Sequence, residues 1–225
     1  VIARDNTGLT MQTSNAFLAD AVGVETNGSF SCLNLSCFGD NSNPIYIGGG
    51  TVAIYSPGTY HNNIETSIGS AYASSLALLT NATFDGNAIT INYSLKLQLI
   101  DTIAVTASLP VTIAEGSTLD VVGYSDYLSN GITFSGQISG DGGLTVDNTH
   151  MTLTHSNTYT GTTEARNNSG GSLLTVNDDD SLGTADGGTV VDSGATLDFA
   201  STAIQDFSEN FTIAGNGVGG NYIGA

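Results

Sequence analysis

The sequence predicts an all-β protein whose chain winds into a parallel β-helix, or solenoid. Three observations lead to this fold class. Short apolar pairs recur through residues 138–199, turn-forming Gly, Asn, Asp and Ser clusters separate them, and one strand–turn–strand phrase occurs twice. The pairs are Leu144/Val146, Met151/Leu153, Leu174/Val176 and Leu197/Phe199. Strands this short cannot hold a fold alone, but as successive coils of a solenoid they build one continuous core.

The first segment, residues 1–45, has the least regular pattern. A solenoid needs its ends covered, because an open terminal coil exposes unpaired backbone groups that invite pairing with another chain. We therefore predict an irregular N-terminal cap over 1–45. The alternative is an assembly segment that adds a strand to a neighbouring molecule. The β-helix itself is predicted over 46–225.

Cys32 and Cys37, in the stretch SCLNLSC, are the only two cysteines. Residues five apart point to opposite faces of a straight strand, so a disulfide between them requires a bend. For a secreted chain we predict this small-loop disulfide, and the alternative is two separate small core residues. No second Cys/His pair has the spacing of zinc ligands, which disfavours a zinc site.

The stretch IYIGGGTVAIYSPGTY (45–60) reads as a strand followed by a turn. Val52 and Ile54 alternate with polar or small residues, and Ser56-Pro57-Gly58 is a turn sequence. The pattern GGGTVAIYSPGTY resembles the first coil of pectate-lyase-like β-helices and phage tailspikes. The resemblance implies that the β-helix is right-handed and starts near this point.

The middle of the chain continues the strand pattern. ASSLALL (73–79) fits either a short helix or a buried strand, whereas 83–99 alternates clearly through Ile89, Ile91, Leu95, Leu97 and Leu99. VTIAEGSTLDV (111–121) and TVVDSGATLDF (189–199) form the internal repeat. We expect both copies to pass the same corner of the solenoid, several coils apart.

The stretch 138–199 also resembles a known family. It carries ISGDGGLT (138–145), MTLTHSNTYTGTT (151–163), SLG (181–183) and SGATLDF (193–199), which together resemble the autotransporter-associated β-helix repeat. That repeat occurs in secreted bacterial surface proteins, notably in the passenger regions of autotransporters. The resemblance implies an architecture rather than an activity.

The charge balance limits the partners. Arg4, Lys96 and Arg166 are the only Lys or Arg residues, against 21 acidic residues, and the net charge is −18. Binding to nucleic acids or anionic membranes depends on Lys and Arg, so we predict no nucleic-acid partner. No apolar run reaches the ~18–20 residues of a membrane helix, and we predict no membrane insertion by this chain.

Charged residues make up only 11%, so the surface must be mostly Thr, Ser, Asn and Gly, which is typical of extracellular β-rich proteins.

The compact acidic run Asp178-Asp179-Asp180 is the one metal-site hypothesis. Calcium prefers oxygen ligands at about 2.3–2.6 Å, and carboxylates and carbonyls of one turn could supply them. The run lacks a recognised calcium-loop sequence. The alternative is a solvated turn in which Asp180 and Ser181 cap the backbone. No other cofactor is predicted.

The sequence offers little for catalysis, and we predict that the protein is not an enzyme and has no catalytic residues. A pair of carboxylates on one groove could hydrolyse a glycan, and the acidic candidates are Asp120, Asp126, Asp141, Asp147 and Asp198. Lys96 and Arg166 are the only cations within the solenoid, and nothing indicates that they meet. His150 and His155 flank a strand and face opposite sides, so they are not expected to share a metal, and His61 has no evident partner.

We therefore expect a structural β-helix that is extracellular or on the bacterial cell surface. The expected function is a stalk segment of an adhesin that supports adhesion or cell–cell association. One alternative is a filament subunit joined head-to-tail by strand stacking or strand donation, and another is a glycan-binding or glycan-cleaving β-helix. The expected partners are a second copy of the chain, or glycans or proteins on host or neighbouring cells.

Overall fold

The chain forms a β-solenoid of about seven turns, which confirms the predicted fold class. The structure is a computed structural model, and it describes residues 2–3, 7–11, 22–38, 44–66, 73–124, 131–168, 170–200 and 208–214. These residues contain 24 β-strands, numbered in chain order, and one short 3-10 helix. No helix among them is long and apolar enough to cross a membrane.

The strands stack into three parallel sheets. Sheet A contains β1 (Ile2–Ala3), β3 (Val22–Glu25), β5 (Ile45–Gly48), β8 (Ile64–Thr66), β11 (Ile89–Ile91), β14 (Val111–Ile113) and β17 (Ile138–Gly140). Sheet B contains β2 (Gly8–Met11), β4 (Ser29–Cys32), β6 (Thr51–Ile54), β9 (Ser74–Leu78), β12 (Leu95–Leu99), β15 (Thr118–Gly123), β18 (Gly143–Asp147), β20 (Thr163–Arg166), β22 (Thr189–Val191) and β24 (Phe211–Ile213). Sheet C contains β7 (Gly58–Tyr60), β10 (Ala82–Phe84), β13 (Ala104–Ala107), β16 (Gly131–Phe134), β19 (His150–Leu153), β21 (Leu173–Val176) and β23 (Thr196–Phe199).

The five coils from β5 to β19 each contribute one strand to sheet A, then one to sheet B and one to sheet C, whereas the described strands after β19 lie only in sheets B and C. Successive side chains of a strand point to opposite faces, so every second residue points into the tube. Leu97 illustrates the packing, because it is aligned with Leu76 of the preceding coil and Val121 of the next, and all three are buried. The same alignment in all three sheets joins the apolar side chains into one core.

An aromatic stack fills the core beside sheet C in the early coils. Phe30, Phe38, Tyr60 and Phe84 follow one another with ring centroids 5.6, 5.9 and 5.6 Å apart. The Tyr60 hydroxyl donates to the Ser56 carbonyl at 2.5 Å. Burial raises the pKa of Tyr60 to about 12, partly opposed by this hydrogen bond. The apolar pairs of the sequence predicted a mainly aliphatic core, and this aromatic stack was not predicted.

Cys32 and Cys37 form a disulfide, with their Cα atoms 5.7 Å apart. Cys32 ends β4, and Cys37 lies in the 3-10 helix Leu35–Phe38. This helix supplies the bend that a separation of five residues requires. Both cysteines are completely buried, so the bridge also fills part of the core.

The predicted cap, 1–45, is more regular in its described part than its sequence suggests. β1 pairs with β3 and β2 pairs with β4, both in parallel, so these strands extend sheets A and B. The predicted boundary between 45 and 46 falls inside β5. Residues 4–6, 12–21 and 39–43 lie outside the described residues, and a capping or assembly role for the segment stays a prediction.

Two other features of the middle of the chain are decided by the structure. The ambiguous stretch 73–79 contains strand β9, and all five of its residues are buried. The prediction that both copies of the internal repeat pass the same corner is wrong. The first copy joins β14 of sheet A to β15 of sheet B, and the second joins β22 of sheet B to β23 of sheet C. The two copies nevertheless have the same kind of turn, since Gly116 and Gly194 both have positive φ.

Three glycines stack at the corner that leads into sheet B. Gly142, Gly161 and Gly187 precede β18, β20 and β22 at equivalent positions, because Leu144, Thr163 and Thr189 are aligned. A Cβ atom on Gly161 would lie 2.6 Å from the backbone nitrogen of Gly143, and one on Gly187 would lie 2.7 Å from the carbonyl oxygen of Thr160. The recurring glycine of the repeat therefore permits close stacking of successive coils.

Candidate functional site

Charged side chains are concentrated on the outer face of sheet B, which makes this face the first candidate site. Lys96, Asp120, Thr145 and Glu164 occupy one column across β12, β15, β18 and β20. A second column, two residues further along each strand, contains Gln98, Val122, Asp147 and Arg166. The solenoid thus brings together residues that are far apart in the chain.

Arg166 forms the main ion pair of this face. Its Nη2 atom lies 2.6 Å from Glu164 Oε2, and its Nε donates to the same oxygen at 2.8 Å. The hydrogen bond to Glu164 raises the pKa of Arg166, and the charges of Glu164, Asp120 and Asp147 add to the rise, whereas burial opposes it. Arg166 is therefore neutralised by acidic residues of its own chain.

The acidic residues of this face also have partners within the chain. Thr145 donates its hydroxyl hydrogen to Asp120. Asp147 accepts from the side-chain amide of Asn168 at 2.6 Å and from its backbone N–H at 3.1 Å. These hydrogen bonds satisfy the carboxylates and give each of them a structural role, because buried or half-buried charges need such partners.

Lys96 and Arg166 lie on the same outer face but do not meet. They belong to β12 and β20, which β15 and β18 separate, so about 14 Å lies between their strands. The Lys96 ammonium lies 5.5 Å from the centre of the Tyr124 ring, within the range of a cation–π interaction.

The carboxylates proposed as glycan-cleaving candidates are spread over different faces. Asp120 and Asp147 lie on sheet B, whereas Asp198 lies in β23 of sheet C. Asp141 lies in the turn after β17, where it accepts a hydrogen bond from the Thr160 hydroxyl at 3.1 Å. Asp126 lies outside the described residues. No single groove therefore collects the described members of this set.

The acidic run Asp178-Asp179-Asp180 lies in a turn after β21. The Asp178 carboxylate accepts from the Asp180 N–H at 3.1 Å, and Ser181 Oγ accepts from the Asp178 N–H at 3.1 Å. Asp180 also accepts from the Ser156 hydroxyl at 3.3 Å. Side chains therefore cap this turn, as in the alternative that the sequence offered, but Asp178 rather than Asp180 acts together with Ser181.

An open cleft of about 280 Å³ adjoins this turn. Asp179, Asp180 and Glu209 lie along it, together with hydroxyl groups such as those of Ser156 and Thr184. Partial burial raises the pKa of Glu209, and a hydrogen bond from Thr189 opposes this shift. Across the part of the chain that the structure describes, no group of three or more His, Cys, Asp or Glu side chains is placed to hold a metal ion. Calcium at 178–180 stays a prediction.

The three histidines occupy separate positions. His61 pairs with Asp85 at the surface, and exposed His155 contacts the Ser156 carbonyl oxygen at 2.7 Å. His150 is half-buried on the outer face of sheet C, and its Nε2 lies 2.9 Å from Thr175 Oγ1 and 3.2 Å from Thr152 Oγ1. Burial lowers the pKa of His150, and the charge of Asp198 partly opposes this effect.

This shift predicts a pH dependence of stability. The fold favours neutral His150, so the unfolded chain takes up the proton more readily once the pH falls below about 6.5. The free energy of unfolding should therefore decrease on acidification through this range, and His150→Asn should remove part of the decrease. Urea unfolding at about pH 7.5 and 5.5 measures the change. His155→Asn controls for the loss of a histidine, and equal pH dependence in the wild type and His150→Asn would contradict the assignment.

Comparison with known proteins adds no relative to this picture: no protein-family model, no curated protein and no solved structure matches the chain. Its structural class therefore rests on the stacked strands of the chain itself. The chain is a β-solenoid built from repeated coils.

Proposed function

We propose that this chain is a stalk segment of a secreted or cell-surface adhesin, in which the β-solenoid acts as a rigid spacer that supports adhesion or cell–cell association. The observation that carries the proposal is the continuous core, which runs through all three parallel sheets. Such a core makes each coil bind its neighbours on both sides, so the stack resists bending and extends in one direction. Sheet B alone has ten strands, which correspond to about 43 Å of rod.

Three further features support an extracellular, structural role. Charged groups of sheet B have partners within the chain, since Arg166 pairs with Glu164 and Asp147 accepts a hydrogen bond from the Asn168 side chain. The Cys32–Cys37 disulfide suits an oxidising compartment. The ISGDGGLT phrase and the segments that follow it resemble the repeat of autotransporter passengers, which are exported to the bacterial surface.

A coil deletion tests the proposal. Removing residues 89–137 deletes two complete coils, β11 to β16, and joins Ala88 to Ile138. Ile138 should then take the place of Ile89 opposite Ile64, because both are the first inward residue of a sheet A strand. We expect the shortened chain to fold cooperatively, with a maximum dimension about 10 Å smaller in small-angle X-ray scattering. On cells that display the chain, shorter reach should lower cell–cell association.

A smaller deletion provides the matched control. Removing only 89–102 takes out β11 and β12 and places a sheet C strand, β13, where a sheet A strand belongs. This variant should lose cooperative unfolding although it loses fewer residues. Unchanged association with shortened rods, together with loss of association after one substitution on an outer face, would point to a binding module and overturn the stalk proposal.

End-to-end assembly into filaments is a second candidate. The last described strands of sheets B and C expose Phe199, Phe211 and Ile213 by 46%, 38% and 48%, whereas the aligned positions of the preceding strands, Val176, Thr189 and Val191, are buried. Stacking of a second copy would cover these side chains. Negative-stain electron microscopy over a concentration series distinguishes the candidates, since isolated rods at every concentration would exclude assembly by this chain alone.

A further inference from the structure

A ridge of apolar side chains runs along the outer surface of the solenoid, at the corner where the strands of sheet B end. In five successive strands, β4, β6, β9, β12 and β15, the last residue is buried and the next one is aliphatic or aromatic. Backbone hydrogen bonds continue the ladder through this position, so the five side chains are aligned. They form the corner ridge: Leu33, Tyr55, Leu79, Ile100 and Tyr124. Adjacent strands are ~4.8 Å apart, so the ridge is about 19 Å long.

Apolar residues are not a general feature of strand ends in this protein. In each of the first six strands of sheet C, the last residue is also buried, but the residue that follows it is polar: His61, Asp85, Ser108, Ser135, Thr154 and Asn177. In the corner ridge, by contrast, Leu33, Tyr55 and Tyr124 are exposed by 38%, 45% and 52%. A continuous apolar line indicates an interaction surface, whereas single exposed apolar residues do not.

The chemistry of the corner ridge favours a protein partner. The neighbouring outward column of sheet B adds Ala53, Ala77 and Val122, so the apolar surface is wider at three of the five strands. Aliphatic side chains offer no hydrogen bonds to the hydroxyl groups of a glycan. The net charge of −18 disfavours an anionic membrane. A protein surface with an apolar line of similar length would cover the ridge without either difficulty.

Two opposite charges lie on the two sides of the corner ridge. Lys96, within β12, lies on the strand side, and its ammonium is 5.5 Å from the centre of the Tyr124 ring. Exposed Asp101 lies on the other side, directly after Ile100, and its carboxylate accepts a hydrogen bond from the Thr102 N–H at 2.8 Å. Neither Lys96 nor Asp101 forms an ion pair within the described residues. Both belong to the same coil, so the two charges lie at a similar height along the rod.

This arrangement is complementary to a second copy of itself. A two-fold axis parallel to the rod places each side chain of the ridge against the same side chain of the other copy, and the strand side of one ridge against the corner side of the other. Lys96 of each copy then faces Asp101 of the other, at both edges of the contact. An antiparallel pair centred on Leu79 would instead place Lys96 opposite β6, which contains no acidic residue.

We propose that the corner ridge is a lateral interface through which two copies of this chain pair side by side, parallel and in register. Five side chains from each copy bury less than the ~1,200–2,000 Å² of a standard interface, so the pair is reversible. Copies displayed on one surface, as the stalk proposal requires, would be parallel and at high local concentration, which strengthens such a contact. The pairing itself goes beyond the stalk function, because it is a property of the purified chain.

Sedimentation equilibrium of the purified chain over a concentration series tests the proposal, at about 0.15 M salt to screen the net charge. We expect a monomer–dimer equilibrium that does not continue beyond the dimer. Tyr55→Glu places two carboxylates against each other in the contact and should raise the dissociation constant by about tenfold or more. Tyr93→Glu is the matched control, because Tyr93 is also 45% exposed but follows β11 of sheet A. It should leave the dissociation constant unchanged.

A charge exchange tests the parallel arrangement. Lys96→Asp and Asp101→Lys should each weaken the dimer, because each places like charges together, whereas the double variant should restore most of the affinity. Circular dichroism and urea unfolding confirm folding, and Tyr124→Glu replaces Tyr55→Glu if the latter does not fold.

A monomer at every concentration would overturn the proposal, as would equal effects of the Tyr55 and Tyr93 substitutions or no restoration by the double variant. Growth beyond the dimer that Tyr55→Glu leaves unchanged would assign self-association to the ends of the rod and would also overturn it. The length of the rod after coil deletion is a separate result, so failure of lateral pairing and failure of the stalk proposal are distinguishable.

Discussion

Gly161→Ala is expected to destabilise the solenoid by about 3 kcal/mol, the upper end of the usual cost of overpacking. A Cβ atom at this position would lie 2.6 Å from the backbone nitrogen of Gly143 and would also overlap the backbone of Gly142. Backbone atoms of a neighbouring coil cannot rotate away as the tip of a side chain can, so the coil that contains Gly161 must move away from the preceding coil. Urea unfolding followed by circular dichroism measures the loss.

Gly116→Ala is the control for this substitution. Gly116 has a φ of 72°, which an alanine adopts at a cost of about 1 kcal/mol, but nothing lies within 4 Å of an added Cβ atom. It therefore reports backbone strain without a clash between coils. If Gly161→Ala were no more destabilising than Gly116→Ala, close backbone packing would not be the reason for glycine at this corner.

Phe84→Ala is expected to cost about 3–5 kcal/mol, the range found when a buried phenylalanine is truncated. Phe84 is only 2% exposed, and its ring stacks on Tyr60 with the centroids 5.6 Å apart. Truncation would leave a cavity at the end of the aromatic stack, and neighbouring coils cannot close it because the hydrogen-bond ladder fixes their spacing. The free energy of unfolding from urea titration gives the cost.

Phe199→Ala provides the matched comparison in the same inward column of sheet C. Phe199 is 46% exposed at the last described strand of that sheet and meets Phe211 with the ring centroids 6.2 Å apart. Its truncation removes less buried surface, so we expect a cost of about 1 kcal/mol. An equal loss of unfolding free energy at the two positions would show that burial does not determine how much a phenylalanine ring stabilises the solenoid.

The periodicity of the sequence indicated where strands occur, but it did not indicate which sheet each strand joins. Leu95, Leu97 and Leu99 were predicted to share one face, and all three point into the core from β12. The stretch 73–79 stayed ambiguous because five small or aliphatic residues suit either a helix or a strand. Only pairing with β6 and β12 resolves it. The internal repeat identified a strand–turn–strand unit but placed the second copy at the wrong corner.

Contacts between coils were the least predictable. Asp147 and Asn168 are linked across a coil, and their hydrogen bonds depend on which strands become neighbours. The threonines of sheet C can be read from the sequence, but only the strand pairing shows which of them align, as Thr83, Thr106 and Thr133 do. The 178–180 turn was recognisable because its hydrogen bonds are local, between residues two or three positions apart.

The sequence by itself determined the all-β class, the alternation of inward and outward residues and the small number of Lys and Arg side chains. These properties depend on the local alternation of residues and on composition, and both can be read directly from the sequence. Only the tertiary structure decided which strand enters which sheet, and hence the glycine corner, the aromatic stack and the two charged columns of sheet B. The physical reason is that loops of different length connect the strands, so coils of unequal length stack in register through backbone hydrogen bonds rather than through a fixed spacing in the chain.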